Sequence, residues 1–150
     1  MNAMQIEKKI NTFINQEGRR PRILLAHLQS DSPDRWTKPL ASSLAEYGFD
    51  VEIGPTLQTS MKVARLAIDS DVHMVCISLS HSARKPLVFE LLAALKAEGG
   101  ADIRVVAGGE GASLNHEKLY HAGVSLIVNF NKSNIDLINQ MLCLFDKTAE

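Results

Sequence analysis

The run Val72-His-Met-Val-Cys-Ile-Ser78 is nearly continuous in apolar residues and rich in branched ones. A strand with one wet face alternates apolar and polar positions, whereas a strand covered by helices on both faces need not. The run therefore reads as the central strand of a parallel sheet. Shorter runs repeat the pattern on either side of it: Arg22-Ile-Leu-Leu-Ala-His27, Asp50-Val-Glu-Ile53, Ile103-Arg-Val-Val-Ala107 and Ser125-Leu-Ile-Val-Asn129. Each is followed by a turn or cap signal, and longer segments of helical period lie between them. Sequential βαβ units with right-handed crossovers predict an α/β, flavodoxin-like (Rossmann-like) fold. It is doubly wound, with a five-stranded parallel sheet of order 2-1-3-4-5 in a three-layer domain.

The intervening segments carry helix punctuation. Pro39 fits the first turn of a helix running to Tyr47, with Leu40 and Leu44 on one face and Gly48 ending it. Pro86 opens the helix after the central strand, Thr59 and Ser133 are candidate N-caps, and Gly99-Gly100 and Gly123 are natural stops. Ile6, Ile10, Phe13 and Ile14 add an amphipathic N-terminal helix. With its linker it is assigned to residues 1–20, outside the core, and the domain proper to 21–150. Its apolar stripe must be buried against either the domain or a partner.

Composition excludes several classes. The 150 residues include 16 Lys+Arg and 17 Asp+Glu, a formal net charge of -1, without the basic footprint that nucleic-acid backbones require. Cys76 and Cys143 sit in apolar stretches without CxxC or Cys/His metal spacing, which predicts a reducing, cytoplasmic setting. No apolar run approaches the ~20 residues that span a bilayer. Met1 to Arg20 carries Glu7, Lys8 and Lys9 where a signal peptide would be apolar. The expected protein is neither secreted nor membrane-embedded.

In open parallel sheets ligands bind beyond the carboxyl ends of the strands, where strand order reverses. The loop Gln29-Ser-Asp-Ser-Pro-Asp-Arg-Trp36 is longer and more polar than a tight βα connection needs, and leads the candidates. Its bland alternative is a solvated loop in which Asp31 and Asp34 make local turns. Gly108-Gly-Glu-Gly-Ala-Ser113 follows a strand and could approach a ligand closely, but matches neither GxGxxG nor a P-loop. His27 and His81 lie on the ligand side and are candidate acids, bases or metal ligands. His73 reads as a buried, hydrogen-bonded core residue, and His116 and His121 as part of a solvated helix face. Ser78, His81 and Asp31 form no recognisable triad, because no GxSxG elbow accompanies them. A phosphoacceptor receiver would need an aspartate where the central strand ends in Ile77-Ser78, and an FMN site would need a Ser/Thr/Gly-rich loop in place of Asp31 to Trp36.

Arg20-Pro-Arg-Ile-Leu-Leu-Ala26, Gly48-Phe-Asp-Val-Glu-Ile-Gly-Pro55, Leu57-Gln-Thr59, Asp71-Val-His-Met-Val75, Val105-Val-Ala-Gly-Gly109 and Leu119-Tyr-His-Ala-Gly-Val124 stand in this order along the chain. Together they resemble the cobalamin (B12)-binding domain of methylmalonyl-CoA mutase and related acyl-CoA mutases. The resemblance implies that a corrin ring lies over the strand ends and that its nucleotide tail enters a slot beside the sheet, through DxHxxG, SxL and GG motifs. In that family the motif His ligates cobalt from below, the Asp orients it, and the Gly leaves room for the tail. The aligned stretch here is Asp31-Ser-Pro-Asp-Arg-Trp36: Asp31 remains, Pro33 replaces the His and Trp36 replaces the Gly. SxL becomes Ser78-Leu-Ser80, and Gly108-Gly109 is intact. Proline offers cobalt no donor atom.

The resemblance thus implies a cofactor-site set of Asp31, Pro33, Trp36, Ser78, Ser80, Gly108 and Gly109, with no catalytic residue. The expected protein is a stand-alone accessory or interaction module, not catalytic alone, with weakened or lost corrinoid binding. Its expected partner is an acyl-CoA mutase large subunit or a related protein. One alternative is a genuine cobalamin-binding small subunit of a mutase-type isomerase, with another lower ligand, His27 or His81. Another is a small-molecule enzyme reusing the crevice.

Overall fold

Parallel pairing gathers the five apolar runs into one sheet of order β2-β1-β3-β4-β5. The strands are β1 (Arg22–Leu25), β2 (Asp50–Ile53), β3 (Met74–Ser78), β4 (Arg104–Gly108) and β5 (Leu126–Val128). The computed structural model describes residues 2–28, 35–78, 85–108, 116–130 and 134–145. Helices α1 (Ala3–Glu17), α2 (Thr37–Glu46), α3 (Ser60–Asp69), α4 (Lys85–Ala97), α5 (His116–Ala122) and α6 (Asn134–Cys143) complete the domain. The fold class and strand order are those read from the sequence. Strand limits differ by a residue or two; β3 starts at Met74 rather than Val72, just after Asp71 turns the chain at φ 54°.

Strand alternation divides the sheet into two cores. Leu24, Val75, Ile77, Val105 and Ala107 pack with Val63, Ala67, Val88, Leu91 and Leu119 of α3, α4 and α5. Ile23, Leu25, Met74, Cys76 and Val106 point the other way, toward Leu40 and Leu44 of α2 and Ile138 and Met141 of α6. β3 is buried at every residue, as its unbroken apolar character requires. Burial pushes the Cys76 thiol well above its ordinary range, which leaves it an inert core group. Thr59 caps α3 by accepting the Lys62 N–H at 3.2 Å. The proposed cap Ser133 lies outside the described residues.

The N-terminal helix does not stand outside the core. Ile6, Ile10 and Phe13 are buried with the α2 and α6 layer, and Lys9 Nζ donates to Asn139 Oδ1 at 2.7 Å. The amphipathic stripe is closed over by this domain itself. The approach is tight at Gly48, where a Cβ would lie 3.2 Å from Ile10 Cγ2 and φ is +107°. Among the described residues no helix is long and apolar enough to cross a membrane.

Candidate functional site

At the carboxyl edge of the sheet the described residues that could form a site are His27, Trp36, Ser78 and Gly108. Asp31, Pro33, Ser80, His81 and Gly109 lie outside the described residues. Trp36 holds the N-cap position of α2 but makes no capping hydrogen bond. Its indole instead turns inward: it is 7% exposed and stacks on Phe130, with ring centroids 4.1 Å apart and planes 22° apart. The indole Nε1–H is buried without an acceptor among the described residues, so packing rather than hydrogen bonding holds the ring.

Gly108 ends β4 directly beside this stack. A Cβ there would lie 2.6 Å from Phe130 Cε2 and 2.6 Å from the Val128 carbonyl oxygen, distances that real carbons do not adopt. The glycine is therefore a steric requirement of the aromatic pair. Ser78, buried at the end of β3, is paired in register with Gly108. Trp36, Gly108 and Phe130 thus form one contiguous group, with Ser78 on the next strand. Phe130 has no place among the sequence candidates. The signal for it is only that an aromatic residue follows the β5 run on the ligand side.

His27 is 2% exposed and both of its ring nitrogens are engaged. Nδ1 lies 2.9 Å from the Gly54 carbonyl oxygen, which can only accept, so Nδ1 carries the hydrogen. The bare Nε2 then faces the Thr37 hydroxyl at 3.5 Å. The imidazole ties β1 to the loop after β2 and to the start of α2. Next to it, Gln58 N–H donates to the His27 carbonyl at 3.2 Å. Leu57 before it adopts φ 57°, a left-handed conformation that costs a bulky residue about 1–3 kcal/mol, with its side chain 62% exposed.

His73 and His121 fall as the patterns suggest, whereas His81 and the side chain of His116 lie outside what is described. His73 is largely buried and accepts the Arg22 N–H on Nδ1 at 2.9 Å. His121 is exposed on α5, 3.9 Å from Glu117. Among the described residues no cluster of His, Cys, Asp and Glu is arranged to hold a metal ion.

Comparison with known proteins places this geometry in a family. The mitochondrial methylmalonyl-CoA mutase of Mus musculus is 46% identical over 118 residues, 79% of this chain and 16% of that protein. The methylmalonyl-CoA mutase large subunit of Streptomyces virginiae is 42% identical over 118 residues, with the same coverage of each. The chain thus spans about one sixth of the length of these relatives. Among solved structures, a cobalamin-binding protein from Desulfitobacterium hafniense DCB-2 superposes with a TM-score of 0.69 at 17% identity, covering 95% of this chain and 67% of that one. A CheY-like protein from Pseudomonas aeruginosa PAO1 gives 0.62 at 18% identity, covering 83% and 99%. At such identities these two likenesses are of fold. The family model of the B12 binding domain matches residues 21–130, which include all five strands and the Trp36, Gly108 and Phe130 group, and with the mutase relatives it establishes that the chain belongs to the B12-binding domain family.

Proposed function

We propose that this domain is an accessory or interaction module for an acyl-CoA mutase-type large subunit, in the cytoplasm, not catalytic alone and with corrinoid binding weakened or lost. The observation that carries the reading is the inward stack of Trp36 on Phe130 against Gly108. In the family motif the position of Trp36 is a glycine whose lack of a side chain leaves room for the cofactor tail. A close-packed indole at that position opposes a tail entering beside the sheet, because filled protein interiors hold little spare volume. Pro33 adds a chemical obstacle, since it carries no donor for cobalt. His27 is a poor substitute ligand: freeing either nitrogen would break its bond to Gly54 or to Thr37. The described residues do not fit a corrinoid held in the family manner. Ile53, Leu57 and Met61, exposed on and beside the β2 to α3 connection, give this edge apolar surface that suits an interaction module.

Spectral titration with hydroxocobalamin and adenosylcobalamin tests the reading on wild type and two double variants. Pro33→Ala with Trp36→Gly removes the obstruction, and Pro33→His with Trp36→Gly also restores a ligand two residues after Asp31. Affinity is expected to be lowest in wild type, higher in the alanine variant and highest in the histidine variant. The last step is about 10 to 100-fold if Asp31 orients the new imidazole. Wild-type binding as tight as that of either folded variant would overturn it.

A further inference from the structure

Of the two free thiols, Cys76 is sealed inside the sheet and Cys143, at the end of α6, is exposed. The neighbour of Cys143 is an amine. Lys9 Nζ of α1 lies 3.4 Å from Cys143 Sγ, a contact between residues 134 positions apart in the chain. A second bond holds the amine in place, because it donates at 2.7 Å to Oδ1 of Asn139, one turn before Cys143 on the same helix. Burial of Ile6, Ile10 and Phe13 in one core with Ile138 and Met141 fixes the two backbones that carry the pair. The tertiary fold therefore sets a nucleophilic sulfur against a nucleophilic nitrogen.

Two nucleophiles do not bond to each other until an oxidant turns one of them into an electrophile. Hydrogen peroxide does this to an accessible thiol. The Cys143 thiolate attacks one peroxide oxygen: an S–O bond forms, the O–O bond breaks, and the released hydroxide leaves as water with the thiol proton. Sulfur is oxidised by two electrons and the peroxide is reduced by two. The sulfenic sulfur is now open to attack, and Lys9 Nζ already stands within the about 3–3.5 Å of a near-attack geometry. Once its ammonium has released a proton to solvent, the amine attacks that sulfur. An S–N bond forms, the S–O bond breaks, and hydroxide departs as water with one amine hydrogen. Thiol, amine and one peroxide thus give a sulfenamide and two waters. Two thiols of a reducing compartment reverse it, regenerating Cys143 and Lys9 and leaving a disulfide between themselves.

We propose that Lys9 and Cys143 form a reversible, peroxide-driven sulfenamide cross-link that staples α1 to α6. Neither Trp36 nor Phe130 takes part, so the inference is independent of the corrinoid reading. The test treats the full chain with equimolar hydrogen peroxide and reads its intact mass and peptide map. The expected result is a loss of about 2 Da, the two hydrogens of the balance above, with the Lys9 and Cys143 peptides joined and both changes reversed by dithiothreitol. Lys9→Arg keeps the positive charge but has no amine able to attack, and Cys143→Ser lacks the sulfur, so neither should lose mass. Lys9 is half-buried and Cys143 exposed, so both variants are expected to fold, and an unchanged circular dichroism spectrum checks it. The chain unfolded in guanidinium should not form the link, since the contact exists only in the fold. Oxidised wild type should unfold at a higher urea concentration than reduced wild type, because the link closes a long loop of the unfolded chain, and both variants should lack this shift. A gain of about 32 Da at Cys143 without joined peptides would overturn the proposal. So would a loss of about 2 Da that persists in Lys9→Arg, the mark of a disulfide between Cys76 and Cys143.

Discussion

The two ends of the sheet each carry a buried histidine, and the two are used differently. His27, at the carboxyl end of β1, has both ring nitrogens engaged and lies near an aromatic stack that leaves no room for a Cβ on Gly108. His73, at the amino end of β3, has one nitrogen engaged and the other unmet at the wall of a cavity. The fold directs ligands to the carboxyl end, yet the described part of that end is filled by side chains. What distinguishes the ends is therefore side-chain chemistry added to a common frame, not topology.

Trp36→Gly breaks the comparison most directly. Removing a buried indole stacked on Phe130 should cost about 3–5 kcal/mol, measured as a lower urea midpoint at unchanged slope. A cost under about 1 kcal/mol would mean that Trp36 does not fill that end. Gly108→Ala should cost about 1–3 kcal/mol or more through overpacking. Combining it with Phe130→Ala should give less than the sum of the two losses, although the Val128 carbonyl remains in the way. His27→Phe strands the Gly54 carbonyl and the Thr37 hydroxyl and should cost about 1–3 kcal/mol. His73→Phe strands one backbone N–H while removing an orphan donor, so chemical denaturation should show the smaller loss there.

The smallest effect is in pH. Burial first, then Arg19, lowers the His73 pKa, with Glu17 and Asp71 pulling the other way. The unfolded chain therefore takes up the proton first, so the stabilisation is complete above about pH 6.5 and is lost as pH falls toward the lower folded-state value. Wild type should lose stability relative to His73→Asn as the pH falls below about 6.5. Parallel pH profiles would show that His73 is not held neutral.

The strands were legible because unbroken apolar runs such as Met74 to Ile77 have no other economical place than between two helical layers. Pro39, Thr59 and Gly123 marked helix ends through backbone constraints that act locally. The family motif, too, is written in consecutive residues, which is why the replacement of His by Pro33 and of Gly by Trp36 could be read directly. Three things could not. Phe130 is 94 positions from Trp36 (130 − 36), and no periodicity announces a stack made across the sheet. The placement of α1 was open for a related reason: the stripe of Ile6, Ile10 and Phe13 demands burial, but the identity of its cover depends on α6 at the other end of the chain. His73 was legible as a buried residue, whereas the unmet nitrogen depends on the distance to Glu17 and so belongs to the tertiary structure.

Trp36 is the single tryptophan of the chain, and it is buried against another aromatic ring. Its fluorescence is consequently a built-in reporter of one end of the molecule. Emission should lie to the blue of a solvated indole while the stack holds and should move to the red when that end loosens, whether or not the rest of the sheet has melted. A far-ultraviolet circular dichroism signal averages over all the helices, so a red shift that precedes it on heating would time the opening of the carboxyl edge against the unfolding of the whole.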